Sequence, residues 1–160
     1  MGNIKVNIYT DGASRGNPGP GGYGIVMESG KLVKEFSEGF LKTTNNRMEL
    51  LAVIVALQNL KRTDLDITLY SDSKYVVDAI NQGWVFGWHK KGYKGKKNPD
   101  LWRRLLPLLQ KYRPKFVWVK GHNNHPQNER CDTLAVQAAL GKGLKPDAGY
   151  EQQEKNDGMF

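Results

Sequence analysis

From Met48 to Leu57 the chain reads Met-Glu-Leu-Leu-Ala-Val-Ile-Val-Ala-Leu, with Glu49 its one polar side chain. Good helix formers continue to Leu60, and a helix apolar on most sides must be well buried by the rest of the fold. Thr43, Thr44, Asn45 and Asn46 offer N-caps, and Asn46 with Glu49 has the spacing of a capping box. The segments before this helix have a different period. Ile4, Val6, Ile8 and Thr10 alternate with Lys5, Asn7, Tyr9 and Asp11, which predicts a strand. Two more strands are expected near Tyr23–Glu28 and Lys31–Leu41, joined at Ser29-Gly30, and the short connections make the three an antiparallel meander.

After the helix, Asp66–Ser71 reads as a fourth strand and Ser73–Asn81 as a short helix. Pro99 opens a helix that runs to about Tyr112, Lys115–Val119 is a fifth strand, and Gln127–Leu140 is a final helix stopped by Gly141. The order is βββαβα(α)αβα. Strand four follows strand three through a helical crossover, so the later strands should add in parallel. The expected fold is α/β, a mixed five-stranded sheet of three antiparallel strands then parallel ones, with helices on both faces. The domain should span residues 1–142. Beyond it Gly, Lys, Pro and polar residues prevail, which predicts a poorly ordered tail over 143–160.

Acidic residues fall where that fold would bring them together. Asp11 ends strand one and Asp72 ends strand four; if those strands are parallel neighbours, the carboxylates meet at one sheet edge, where sites in such folds lie. Either residue alone reads equally as a turn or cap former. Glu49 has Ala52, Val53 and Ala56 three, four and seven positions on, and Asp132 has Ala135, Val136 and Ala139 at the same offsets, so both lean towards a buried face. A capping role for Glu49 and a surface position for Asp132 are the plainer readings. Inward carboxylates are costly unless paired or bound to metal. A converging set suits hard, oxygen-preferring cations, magnesium above all. Two such ions about 3.5–4 Å apart would activate a water and stabilise the leaving oxygen in phosphodiester hydrolysis. His122, in the loop after strand five, has the chemistry of a proton carrier near neutral pH. His125 beside it raises zinc as an idea, but one cysteine and no second cluster leave that weak.

The charge points to the same class of partner. Lys and Arg total 24 against 16 Asp and Glu, a formal net charge of +8, which favours a polyanion. Trp84, Phe86, Trp88, Tyr93 and Trp102 lie within nineteen residues, interleaved with Lys90, Lys91, Lys94, Lys96 and Lys97. Rings can pack on sugars or bases while ammonium groups meet phosphates; the alternative is a solvated loop over core tryptophans. Near Asp11, Gly12, Gly16 and Gly19 permit close backbone approach. Asn17, Asn45 and Gln127 offer amides, and Ser14, Thr43 and Thr44 offer hydroxyls, to a nucleic acid. Met1 to Thr10 lack the apolar block of a signal peptide and no stretch approaches a membrane span, so a cytoplasmic protein that stays off membranes is expected. Cys131, the sole cysteine, fits a reducing compartment.

Six stretches together carry a family resemblance: Tyr9-Thr10-Asp11-Gly12, Gly16 to Gly24, Thr43 to Leu50, Ser71-Asp72-Ser73, Val119-Lys120-Gly121-His122 and Asn128 to Asp132. In this order, and covering residues 4 to about 140, they resemble a bacterial type 1 ribonuclease H. The resemblance implies a ribonuclease H-like sheet and a magnesium site of Asp11, Glu49, Asp72 and Asp132, with two ions and manganese as a substitute. It implies that His122 assists proton transfer or product release. Family members cut the RNA strand of RNA–DNA hybrids endonucleolytically, leaving 3′-hydroxyl and 5′-phosphate ends, and a monomer is expected. The Trp84–Trp102 region is similar to the family's basic protrusion, which grips the DNA strand. Ser14, Asn17, Asn45 and Gln127 match positions of the RNA-facing groove, and Thr44 matches the DNA-phosphate pocket. Lys74 and Gly87 depart from the glutamine and polar residue that close relatives often carry. A non-catalytic hybrid-binding module and a DNA nuclease of the same superfold remain as alternatives.

Overall fold

The alternating first segment becomes the centre of the sheet. In the computed structural model, which describes residues 3–121 and 125–157, β1 (Ile4–Ser14) pairs on one side with β2 (Gly19–Ser29), antiparallel, and on the other with β4 (Leu65–Ser71), parallel. β3 (Leu32–Thr43) adds antiparallel to β2, and β5 (Lys115–Trp118) adds parallel to β4, giving the order β3-β2-β1-β4-β5. Period-2 geometry sends Val6 and Ile8 to one face and Tyr9 to the other.

On the first face lies α1 (Asn45–Gln58), the apolar segment, packed on β1 and β2 with α4 (Pro99–Tyr112) across its back. Sheet on one side and helix on the other let it bury Met48, Leu50, Ala52, Val53, Ile54, Ala56 and Leu57 completely. Each of the larger of these contributes about 1.5–3 kcal/mol by leaving water. Thr44 caps α1, its Oγ1 accepting from the Arg47 backbone N at 3.2 Å. The capping box expected from Asn46 and Glu49 is not formed: both lie inside the helix, which starts earlier, and Glu49 faces inward. Two short helices, α2 (Lys74–Asn81) and α3 (Trp84–Lys90), link β4 to α4.

α5 (Pro126–Leu140) covers the other face, against β1, β2 and β3. It lies almost on the strand backbone. A Cβ at Gly24 would run into the Cys131 carbonyl, and one at Gly39 into that of Ala138. These glycines are needed for close approach rather than for turns.

The described part of the tail, 143–157, departs from the expected lack of order. Phe40 and Lys145 form a parallel bridge, and α6 (Ala148–Asp157) follows. The cause is Arg47, which α1 carries into the interior with 1% of its side chain exposed. Asp100 accepts from both guanidinium Nη atoms, at 2.9 and 2.7 Å. The remaining donors need a second carboxylate, since a buried cation without full pairing is costly. Asp147 supplies it. Its Oδ2 accepts from Arg47 Nε at 2.8 Å and from Thr43 Oγ1 at 2.7 Å. Its Oδ1 accepts from Arg47 Nη2 at 3.0 Å and from the Tyr150 backbone N at 3.2 Å, so one residue both docks and caps α6.

Candidate active site

The last pair of the parallel β1–β4 ladder is Thr10 with Ser71, which puts Asp11 and Asp72 next to each other at its carboxyl edge. β1 does not end at Asp11 as expected: it continues to Ser14 against β2, while β4 stops at Ser71. Gly12 then brings in the third acid. A Cβ there would clash with the Glu49 backbone N, so only glycine lets the start of α1 lie against β1 beside Asp11. Carboxylate oxygens of Asp11, Glu49 and Asp72 all lie within 4.8 Å of one another.

Among the described residues no cation neutralises this group. No Lys or Arg among the described residues forms an ion pair with any of its members. Asp11 Oδ1 accepts from the Gly12 N at 2.9 Å, but Glu49 Oε2 and Asp72 Oδ1 are buried without a hydrogen-bond partner. Burial, then the neighbouring Asp72 charge, pushes the Asp11 carboxyl up to about 8. Burial and the charges of Asp11 and Asp72 hold Glu49 well above the usual carboxylate range, and burial raises Asp72. Like charges in a poorly solvated space cannot all ionise unless protons or cations are shared among them.

Asp132 stands apart from the trio. It is half-buried on α5 and lines a small cavity with Asp11, Asp72, Gly121, His125, Asn128 and Glu129. Its charge adds to the repulsion at Asp11 and Asp72. The lean inferred from its neighbours holds for Ala135 and Ala139, which are buried, but Val136 is exposed. His122 lies outside the described residues. Sequence reasoning gave His125, Asn128 and Glu129 no place at the acids. They reach the cavity because α5 begins beside Asp72, a tertiary proximity with no local signature. His125 occupies the N-cap position of α5, its ring 5.4 Å from that of Tyr9, and its Nδ1 is buried without a partner. Among the described residues the candidate metal group is carboxylate only; His122, half of the pair that raised zinc, lies outside them.

The residues expected to meet nucleic acid divide. Asn17, Thr44, Trp84, Lys96 and Lys97 line a groove of about 550 Å3. Asn17 Oδ1 also accepts from the Asn45 backbone N at 3.0 Å, tying the β1–β2 turn to the start of α1. Asn45, Lys90, Lys91 and Lys94 are exposed outside that lining, and Ser14 and Gln127 are half-buried. Trp102 is a correction. It is fully buried, its Nε1 donates to Tyr75 Oη at 3.0 Å, and the Trp88 ring meets it edge-on, so it is core and cannot touch a ligand. Lys74 lies over the Trp118 ring, 4.8 Å from its centre, and Gly87 faces open space.

The RNase H family profile matches residues 3–140. A ribonuclease H of Lachnoclostridium phytofermentans is 54% identical over 155 residues, 90% of this chain and 98% of the relative. One of Trichodesmium erythraeum is 50% identical, covering 92% and 96%. Among solved structures, LC9-RNase H1, a type 1 RNase H with the type 2 active-site motif, superposes with a TM-score of 0.77 at 31% identity, covering 96% of this chain and 82% of that one. LC11-RNase H1, solved in complex with an RNA/DNA hybrid, gives 0.68 at 29% identity, covering 84% and 96%. Sheet order, acid positions and these similarities agree: the chain belongs to the ribonuclease H family.

Proposed function

We propose that this enzyme hydrolyses the RNA strand of RNA–DNA hybrids endonucleolytically, leaving 5′-phosphate and 3′-hydroxyl ends, with Asp11, Glu49, Asp72 and Asp132 holding two magnesium ions. The observation that carries the reading is the trio of carboxylates within 4.8 Å, with two buried oxygens lacking any partner. That donor set fits a hard divalent cation: all oxygen, crowded, and uncompensated by the protein. Bound ions would supply the positive charge that activates water and stabilises the leaving oxygen. The chain's own residues do the rest. Asp11 and Asp72 fix one sheet edge as the point of cleavage, Glu49 closes it from α1, and Asp132 closes it from α5. His122 moves a proton to or from the reacting groups or helps product leave. Thr44 in the groove seats the DNA strand, with Trp84, Lys96 and Lys97 in the same lining, while Asn17 meets the RNA strand; a relative bound to a hybrid supports that substrate. We place the protein in the cytoplasm as a monomer; no described helix is long and apolar enough to cross a membrane.

Labelled hybrid, duplex DNA and duplex RNA, each with magnesium and with EDTA, decide the matter. Magnesium-dependent cutting of the RNA strand of the hybrid alone is expected. Cutting of duplex DNA, or binding to hybrid without cutting, would give the function to a different activity on the same scaffold.

A further inference from the structure

The groove's lining mixes charges of both signs. Trp84, Trp88, Lys96 and Lys97 contribute rings and cations, and α6 contributes Gln153, Glu154 and Asp157. Asn17, Thr44 and Asn46 add neutral hydrogen-bonding groups. A groove that bound polyanions by charge alone would be lined by cations without acids. Here acids share the lining, in a chain whose formal net charge is +8.

Those acids are held in place. Asp147 docks the start of α6 on Arg47, Tyr150 is buried, and Gln153 Oε1 accepts from the Asn98 backbone N at 3.3 Å. Glu154 also pairs with Lys42 at 2.9 Å.

We propose that α6 is a selectivity wall: Glu154 and Asp157 repel any nucleic acid whose backbone is too wide, or runs at the wrong angle, to stay against the lysine side. This deepens the reading of the groove as the path of the hybrid's DNA strand, and rests on it. Attraction between lysines and phosphates is indifferent to backbone shape and pulls in every duplex. A hydrogen bond to Thr44 is made only by a correctly placed phosphate. Acids in the same lining as the lysines penalise the other placements, because specificity is a difference of affinities and a repulsive element acts on the wrong partner more than the right one.

The test measures dissociation constants of the full chain, in EDTA so that nothing is cut, for hybrid, duplex DNA and duplex RNA. Glu154→Gln with Asp157→Asn should tighten binding to both duplexes several-fold more than to hybrid, shrinking the hybrid preference. Glu28→Gln with Asp66→Asn makes the same charge change at the opposite end of the sheet and should leave the preference as it was. Gln153→Glu, which keeps an oxygen for Asn98 and adds an acid to the wall, should widen the preference. Unchanged preference in both groove variants, or an equal change in the distant pair, overturns the wall while the hybrid reading stands. A wild-type protein that binds all three nucleic acids alike overturns both.

Discussion

Asp11 shows how much a single position can carry. Its neighbours make ionisation costly, so in the folded protein it holds its proton up to about 8, against an ordinary 3.8. An acid that binds its proton more tightly when folded makes stability fall as pH rises between those values. Metal-free wild type should therefore lose thermal stability from about pH 4 to about pH 8 more steeply than Asp11→Asn, as melting curves in EDTA would record. Magnesium should raise the wild-type melting temperature near neutral pH and do much less for the variant. Parallel pH profiles for the two proteins would mean that the crowding is relieved in some other way. The same substitution should cut hybrid cleavage about a hundredfold or more, since it removes a charge from a preorganised site. The clustering of Asp11, Glu49 and Asp72 was legible in the sequence because the acids stand near strand ends or beside a run of small apolar residues, positions that topology turns inward. Trp102 was not legible: an aromatic flanked by basic residues reads the same whether it stacks on a base or fills the core. Only the Tyr75 and Trp88 side chains packed on it decide, and they come from other elements.

Among the elements, α5 and α6 owe their positions to features of very different visibility. The boundaries of α4 could be read from Pro99 and the apolar stripe that follows, and those of α5 nearly so from Gln127 and Gly141. α6 could not, because its own sequence is polar and its place is set by Asp147 answering an arginine 100 residues earlier. Asp147→Ala should cost about 3 kcal/mol or more, because it leaves Arg47 buried with one carboxylate fewer. Urea unfolding would measure this, and far-ultraviolet circular dichroism should show helix lost from α6. A loss below about 1 kcal/mol would mean that water or Asp100 satisfies Arg47 alone.

At the scale of the whole molecule, the densest run of positive charge, five lysines between residues 90 and 97, belongs to a segment separate from the clustered acids. Neutralising Lys90, Lys91, Lys94, Lys96 and Lys97 together should weaken hybrid binding and flatten its dependence on salt, by roughly 0.9 in logarithmic slope for each phosphate no longer neutralised. Binding measured across a salt series would show it, and an unchanged slope would return the segment to a solvated loop. Global packing also shelters Cys131, whose thiol donates to the Tyr9 carbonyl at 3.2 Å beneath α5, one residue from Asp132. Burial and the nearby Asp11 charge raise its pKa far out of the reactive range. A thiol reagent can therefore modify the protein only when α5 lifts from the strands, so the speed of alkylation times the departure of that helix. If Asp132 joins the other acids in holding magnesium, as proposed, adding the ion should slow that clock.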